Sequence, residues 1–202
     1  MYPGSRRPFT RPLTLGVRRS IVVFALTAAM LAGGSGPASA GPPPPGRFGV
    51  GDSIMVSATD ELEAFDWRVN AEVGRQFSTG LRVVRWRANR GTLPKRVIVH
   101  LGTNGAIDPD DCDALARVAG PRRRVFLVTV KVPRGWEGAN NDVLQACAAA
   151  HEKVHLIRWY AHSHRHAEWF AEDGYHLNAT GQGEYASFLQ AKVDAIVANL
   201  GS

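Results

Sequence analysis

Short apolar runs alternate with stretches of helical periodicity through most of the chain. The runs that predict strands are 48–51, 68–73, 96–101, 125–130 and 154–157. The last three are β-branched or continuously apolar, which is typical of strands buried on both faces. Helices are predicted near 54–65, 77–88, 110–119, 141–152 and 181–199.

Strands that alternate with helices across short connections indicate a parallel sheet covered by helices. Right-handed crossovers between successive strands limit the arrangements available to such a sheet. We therefore expect the α/β class: a flavodoxin-like three-layer α/β/α sandwich with a five-stranded parallel sheet of order 2-1-3-4-5.

The first 40 residues differ from the rest in composition. They hold five arginines and no acid, an apolar run of twelve residues at 21–32, and the small residues Ala38, Ser39 and Ala40. This layout predicts a secretory signal peptide at 1–40, cleaved near Ala40, and hence a secreted protein. An uncleaved membrane anchor is the alternative, although twelve apolar residues fall short of the ~20 that span a bilayer.

Residues 41–46 read GPPPPG and predict a short, stiff linker, so the folded domain is expected at 47–202. The signal peptide also explains the charge. Of 24 basic residues, five lie in the first 40, which leaves 19 against 18 acids. A nearly neutral body does not have the basic surface of a nucleic-acid-binding protein. With 45% hydrophobic residues, the chain can form a packed core.

Polar motifs follow the predicted strands where each strand ends. In an open parallel sheet, the carboxyl ends of the strands form the edge at which ligands bind. The motifs expected there are Gly51-Asp52-Ser53, Gly74, Gly102-Thr103-Asn104 and Asp173-Gly174-Tyr175-His176. A serine, a histidine, an aspartate, free backbone N–H groups and an amide are the groups that nucleophilic acyl transfer requires.

Each group in these motifs has a predicted role. Ser53 is the nucleophile at the start of a helix, His176 takes its proton, and Asp173 fixes the tautomer of His176. The N–H groups of Ser53 and Gly74 and the side-chain amide of Asn104 are the predicted oxyanion hole.

Other residues near the same edge have different predicted roles. Asp52 is expected to be structural, because a residue adjacent to Ser53 is badly placed to reach behind the histidine. Trp136 and Asn140, after the fourth strand, are candidates for lining the substrate pocket. The alternating histidines of the sequence HSHRH, at 162–166, are interpreted as a solvated loop rather than a metal site.

The four motifs resemble, in order and spacing, those of the SGNH (GDSL-like) hydrolase superfamily. Two positions depart from its common pattern: Ile54 stands where leucine is usual, and Gly105 stands where an acid often follows the asparagine. The residues of the motifs are most similar to those of the extracytoplasmic SGNH domain of acyltransferase-3 and peptidoglycan O-acetyltransferase proteins.

This resemblance implies a secreted serine esterase or acyltransferase that hydrolyses or transfers a small acyl group, O-acetyl above all, on a cell-wall carbohydrate. The expected partners are an acylated carbohydrate or small ester and a separate membrane acyl-donor protein, with no nucleic acid, no cofactor and no metal. The protein is expected to be a monomer. The alternative is a non-catalytic wall-binding module that retains the SGNH site.

Two cysteines, Cys112 and Cys147, are the only ones in the chain. They fall in the helices after the third and fourth strands, which are neighbours on one face of a 2-1-3-4-5 sheet. In an oxidising compartment such a pair predicts a disulfide, with two buried free thiols as the alternative.

Overall fold

A computed structural model describes residues 46–200. The predicted signal peptide and all of the linker except Gly46 lie outside the described residues, and so do positions 201 and 202. Among the helices of the described part, none combines the length and the apolar character that crossing a bilayer requires.

Five parallel strands form a single sheet in the order β2-β1-β3-β4-β5, which confirms the predicted fold class and order. The strands are β1 (Arg47–Gly51), β2 (Trp67–Ala71), β3 (Arg96–His100), β4 (Arg124–Val128) and β5 (Val154–Ile157). The helices of the described part are α1 (Ser53–Ser57), α2 (Thr59–Glu63), α3 (Phe77–Asn89), α4 (Pro109–Ala119), α5 (Glu137–Ala150), α6 (Trp159–Ser163) and α7 (Ala179–Asn199), with a 3-10 helix at Ala167–Trp169.

Helices cover both faces of the sheet, so the core has two parts. Val97 and Val99 of β3 pack with residues of α3, α4 and α5. Ile98, between them in sequence, points to the other face, where it packs with residues of α1, α2, α6 and α7. Because successive side chains of a strand alternate between faces, a strand covered on both sides is apolar throughout.

The predicted helix at 54–65 is two short helices instead of one. The hydroxyl of Ser57 donates to the carbonyl of Ile54 at 2.8 Å, and that of Thr59 donates to the carbonyl of Val56 at 2.9 Å. Hydroxyls that bind nearby backbone carbonyls compete with continued helix formation. The chain accordingly leaves helical geometry at Ala58, between α1 and α2.

The second strand is also shorter than predicted. It ends at Ala71 rather than at 73, and the N–H of Arg75 then donates to the carbonyl of Glu72 in a turn. Gly74 has a φ of +75° in this turn, a conformation that glycine adopts without steric cost. The β-branched Val73 belongs to the turn and is exposed, so its strand-like character misled the prediction.

A disulfide joins α4 to α5, as predicted. It connects Cys112 and Cys147, whose Cα atoms are 6.2 Å apart and which are separated by 35 residues in sequence. It therefore ties together two helices on one face of the sheet.

Candidate active site

Ser53 lies directly after the carboxyl end of β1, at the first position of α1. A Cβ atom on Gly51 would lie 2.4 Å from the Cβ of Met55, so only glycine allows α1 to turn back so closely over the strand. Asp52 caps the helix, and its Oδ1 accepts a hydrogen bond from the N–H of Ile54 at 3.1 Å. This turn brings the largely buried Ser53 to the edge of the sheet.

The structure brings Ser53, His176 and Asp173 together in one hydrogen-bonded chain. His176 Nε2 is 2.9 Å from Ser53 Oγ, and His176 Nδ1 is 2.6 Å from Asp173 Oδ2. Ser53 and His176 are 123 residues apart in sequence. With Asp173 accepting from Nδ1–H, the Nε2 lone pair faces the serine hydroxyl, which is the tautomer that general-base catalysis needs.

The loop that carries Asp173 and His176 is organised by its own short-range contacts. Asp173 Oδ1 accepts hydrogen bonds from the N–H groups of Tyr175 and His176, at 3.1 and 3.0 Å. Gly174, between Asp173 and Tyr175, has a φ of +76°, and its carbonyl accepts a hydrogen bond from the ammonium group of Lys131. Slight burial raises the pKa of Asp173, but the hydrogen bonds from His176 and Tyr175 outweigh it and lower the pKa to about 2.

Asp52 is buried beneath the nucleophile. Its Oδ2 accepts a hydrogen bond from the hydroxyl of Thr103 at 2.6 Å, and its N–H donates to the carbonyl of His100 at 3.3 Å. Burial raises the pKa of Asp52 to about 6, against the opposing effect of the hydrogen bonds that its carboxylate accepts from Thr103 and from the N–H of Ile54. Asp52 thus fastens the end of β1 to the end of β3 and does not contact His176 within hydrogen-bonding distance.

Asn104 is connected to this buried network. Its Nδ2 is 3.0 Å from the hydroxyl oxygen of Thr103 and 3.5 Å from the carbonyl oxygen of Arg75. The Ser53 N–H lies in the first turn of α1, where no carbonyl of the same helix can accept it. Gly74 lies in the turn after β2, one residue before Arg75. The oxyanion roles of the three groups remain predictions.

Asn140 is buried, whereas its predicted substrate-binding role needs an accessible side chain. It is 1% exposed, its Oδ1 accepts from the N–H of Ile107, and its Nδ2 donates to the carbonyls of Gly102 and Gly105. The side chain therefore holds the loop that carries Asn104 and has no free polar atom for a substrate. The position just after β4 suggested the pocket, but the amide points into the loop.

Trp136 is half-buried at the start of α5, and its indole Nε1 has no hydrogen-bond partner among the described residues. Its substrate-binding role remains a prediction.

The histidines at 162–166 lie against aromatic rings. The His162 ring stacks on Phe188 with centroids 3.9 Å apart, and the His166 ring stacks on Trp169 at 3.8 Å. Among the described residues, the group with metal-ligand geometry is elsewhere, at Asp113, Cys147 and His151. The sulfur of Cys147 is already bonded to Cys112.

Three supporting residues were missed by the sequence reasoning: Arg75, His100 and Thr103. The buried guanidinium of Arg75 donates to the carbonyls of Asn70 and Gly51, at 2.5 and 3.3 Å, so it holds the Gly74 turn against the end of β1. The buried His100 ring pairs with the Tyr185 hydroxyl at 2.7 Å, and burial lowers its pKa to about 3. No local sequence pattern predicts these contacts. The only available signal was that each of the three residues lies in or beside a motif at the end of a strand.

Relatives by sequence were found among the O-acetyltransferases. The chain is 34% identical over 134 residues to YrhL of Bacillus subtilis (strain 168), whose name describes a peptidoglycan O-acetyltransferase. It is also 34% identical over 138 residues to the O-acetyltransferase OatA of Staphylococcus aureus (strain NCTC 8325 / PS 47). Both matches cover 65% of this chain, but the chain spans only about a fifth of those relatives, 21% and 22%. No protein-family model matches.

Solved structures share the fold. The C-terminal catalytic domain of OatA from Streptococcus pneumoniae, with a methylsulfonyl adduct, superposes with a TM-score of 0.66 at 20% identity, over 75% of this chain and 93% of that domain. The esterase EstA from Pseudoalteromonas sp., inhibited by monoethylphosphonate, gives 0.61 at 12% identity, over 76% and 99%. A family 3 carbohydrate esterase from Clostridium thermocellum gives 0.61 at 16% identity, over 79% and 100%.

The two comparisons agree with each other and with the motifs. The sequence relatives are O-acetyltransferases, and the structural neighbours are an O-acetyltransferase catalytic domain and GDSL-like hydrolases. These findings confirm the predicted resemblance: the described domain has the SGNH α/β fold, and the chain is similar in sequence to a segment of the O-acetyltransferases YrhL and OatA.

Proposed function

We propose that this protein is a secreted serine esterase or acyltransferase of the SGNH type, acting on a small acyl group, O-acetyl above all, of a cell-wall carbohydrate. The observation that supports it most is the hydrogen-bonded chain of Ser53, His176 and Asp173. A serine oxygen with a base 2.9 Å away, and an acid behind that base, can form and break an ester without a cofactor.

In the first half of the reaction, Ser53 Oγ attacks the carbonyl carbon of the ester, and its proton passes to His176 Nε2. Asp173 remains a carboxylate and stabilises the imidazolium. The negative oxygen of the tetrahedral intermediate is bound by the N–H groups of Ser53 and Gly74 and by the amide of Asn104. The ester C–O bond then breaks, and the leaving alcohol takes the proton from Nε2.

In the second half, water or a sugar hydroxyl attacks the carbonyl carbon of the acyl-serine. His176 Nε2 accepts the proton of the attacking group, the Ser53 Oγ–C bond breaks, and that proton returns to Ser53 Oγ. Attack by water gives hydrolysis, and attack by a sugar hydroxyl gives transfer. Both outcomes use the same residues, so the accessibility of the acyl-enzyme decides between them.

The accessibility of the triad supports a polymeric or surface-bound substrate. The side chains of His176 and Asp173 are 35% and 42% exposed, so the base lies at an open edge rather than at the bottom of a deep pocket. The name of one sequence relative, YrhL, describes peptidoglycan O-acetyl transfer, and a structural neighbour is a carbohydrate esterase. Where transfer occurs, a separate membrane protein is proposed as the acyl donor.

The test is ester turnover by the purified protein with an aryl acetate. The Ser53→Ala variant should lose hydrolysis by a factor of about 10⁴ or more, because the acyl-enzyme cannot form. Ser57→Ala, four residues along in the same helix, is the matched control and should retain activity. Equal, low turnover by the wild type and Ser53→Ala would instead favour the non-catalytic wall-binding module.

Hydrolysis and transfer are separated by adding an oligosaccharide acceptor of wall composition. An O-acetylated oligosaccharide detected by mass spectrometry, and absent with Ser53→Ala, identifies a transferase. Acetate release that is unaffected by the acceptor identifies an esterase.

A further inference from the structure

A basic groove runs along the free edge of the sheet, on the surface between β2 and α3. Its volume is about 470 Å³, within the range of ~300–1,000 Å³ that is usual for ligand sites. It is lined by Asn70, Thr79, Arg82, Val83, Trp86 and Arg87. We call it the α3 groove.

The groove is open because β2, the outer strand, carries polar residues on the face that packs against α3. The neighbouring strand β1 carries buried apolar residues on that same face. In β1, Phe48 and Val50 point toward α3 and are fully buried. The paired positions of β2 are Arg68 and Asn70. Arg68 is exposed, and the side-chain oxygen of Asn70 is buried without a hydrogen-bond partner among the described residues. Helix α3 therefore does not seal this edge of the sheet.

An exposed tryptophan lies in the α3 groove. Trp86 is 55% exposed, and the guanidinium of Arg90 lies 4.2 Å from its ring centroid. The ring offers a flat apolar face of the kind on which sugar rings stack.

The cations of this surface are oriented but not neutralised. Arg82 donates to the hydroxyl of Thr79 at 2.9 Å, which fixes its position on the groove side of α3. Burial lowers the pKa of Arg87, and repulsion from Arg68 lowers it further, so two guanidinium groups are held near each other. None of the arginines at 68, 82, 85, 87 and 90 has an ion-pair partner within residues 46–200.

The charge of the domain is therefore unevenly distributed. Neither β2 nor α3 contains an acidic residue. After residue 40 the chain has 19 basic and 18 acidic residues, so removing these five arginines leaves 14 basic against 18 acidic residues. A positive edge on an otherwise negative body attracts anions to one place.

We propose that the α3 groove binds the wall glycan in its polymeric form, holding carboxylate groups of the strand outside the sugar that reacts at Ser53. Planar guanidinium groups match carboxylates in bidentate geometry, and Trp86 contacts a sugar ring between them. The groove begins at the edge that carries the active site, since Thr79 lies in the first turn of α3, just after the Gly74 turn. This inference rests on the proposed function and adds a second contact with the same polymer.

Co-sedimentation of the purified full chain with insoluble polymers tests the proposal. The anionic probe is peptidoglycan sacculi stripped of phosphate-linked polymers by hydrofluoric acid, and the neutral probe is chitin. The chain should sediment with the sacculi and not with chitin, and added salt should release it. Trp86→Ala, and the double variant Arg82→Gln/Arg87→Gln, should each bind the sacculi roughly tenfold more weakly.

The matched control is Arg165→Gln, which removes one exposed arginine that follows β5, at the opposite edge of the sheet. It should bind as the wild type does. Equal binding by the wild type and the α3-groove variants would overturn the proposal, and so would equal binding to chitin. Tighter binding of a single-stranded DNA oligonucleotide, dependent on the same residues, would also overturn it in favour of a nucleic-acid site.

Measuring aryl acetate turnover of the same variants distinguishes failure of this proposal from failure of the proposed function. The α3-groove variants should hydrolyse the small ester like the wild type, because their residues lie outside the triad and the oxyanion groups. Ser53→Ala should bind sacculi like the wild type and hydrolyse nothing. Failure of the groove therefore appears in binding alone, and failure of the enzyme appears in turnover alone.

Discussion

Ser53 is held by residues buried between β1 and β3, whereas Asp173 and His176 lie on a surface loop and hold each other. The support for Ser53 passes through Asp52 and Thr103, which are 51 residues apart in sequence. The support for His176 comes from a residue only three positions earlier. The nucleophile thus depends on correct assembly of the sheet, and the base depends mainly on the conformation of one short loop.

The two regions should respond differently to substitution. Buried hydrogen bonds in a region of low dielectric constant fix Ser53 strongly, but they fail when the core is disturbed. The exposed loop can be altered without opening the core, so its substitutions should change turnover more than stability.

Asp173→Asn should give the largest separation of activity from stability. The carboxylate that orients His176 is lost, and kcat for an aryl acetate should fall by about 10⁴-fold, as in other serine triads. The free energy of unfolding should change little, since the side chain is exposed. Kinetics and urea unfolding measure the two quantities, with Glu172→Gln, the exposed neighbour, as the control. A loss of less than about tenfold would remove Asp173 from the mechanism.

Asn104→Ala tests the link between the buried network and the chemistry. If its amide binds the oxyanion, kcat should fall by roughly 10²–10³-fold with little change in KM. Asn89→Ala, an exposed change at the end of α3, is the control. Unchanged kcat in Asn104→Ala would mean that the amide serves only to contact Thr103 and Arg75.

Replacing both cysteines tests whether the α4–α5 pair, which contains neither Ser53 nor the loop of Asp173 and His176, affects stability alone. The bridge closes a loop across a separation of 35 residues, and Cys112→Ser/Cys147→Ser should lower the free energy of unfolding by about 3–4 kcal/mol. Turnover of the folded variant should stay within a few-fold of the wild type. A matched drop in kcat under fully folded conditions would show that the α4–α5 pairing also positions the Asn104 loop.

Asp52→Asn should change how stability depends on pH. Burial raises the folded-state pKa of Asp52 from its ordinary value of 3.8 to about 6. Between these values the unfolded chain has released the proton that the folded chain retains, so the wild type loses stability as pH rises through this window. The loss should reach about 3 kcal/mol, and the variant should lack it.

Urea unfolding at pH 4, 5, 6 and 7 measures the difference between the wild type and Asp52→Asn. Parallel stability profiles for the two proteins would contradict a raised pKa. Asp173 adds little in this window, because any effect of its lowered pKa falls between about 2 and its ordinary value of 3.8.

The contrast between the buried support of Ser53 and the surface loop of Asp173 and His176 also explains what the sequence could predict. The alternation of strands and helices predicted a parallel sheet, and the flavodoxin-like arrangement supplied its order. Because the carboxyl ends of parallel strands share one edge, Ser53 and His176 were expected there despite their separation. The pairing of Asp173 with His176 followed from local spacing. The bond from Thr103 to Asp52 and the three bonds of Asn140 depend on how loops from different strands fold over one another, which no local pattern encodes.

Short elements were the other gap. The five-residue helix α6 and the 3-10 helix at Ala167–Trp169 contain too few residues to show a periodic apolar face. They are stabilised instead by tertiary packing, since Trp159 and Trp169 stack with ring centroids 6.1 Å apart in the core beside α7.

The separation of 123 residues between Ser53 and His176 has a consequence for the biogenesis of the protein. A ribosome completes the nucleophile long before the base, and α7 must still follow. That helix is fastened to the earliest part of the domain by the bond from Trp67 Nε1 to Gln190 Oε1, which also spans 123 residues. A nascent or C-terminally truncated chain therefore has a serine without its base, and acyl chemistry begins only when the whole domain has been synthesised and has closed on itself.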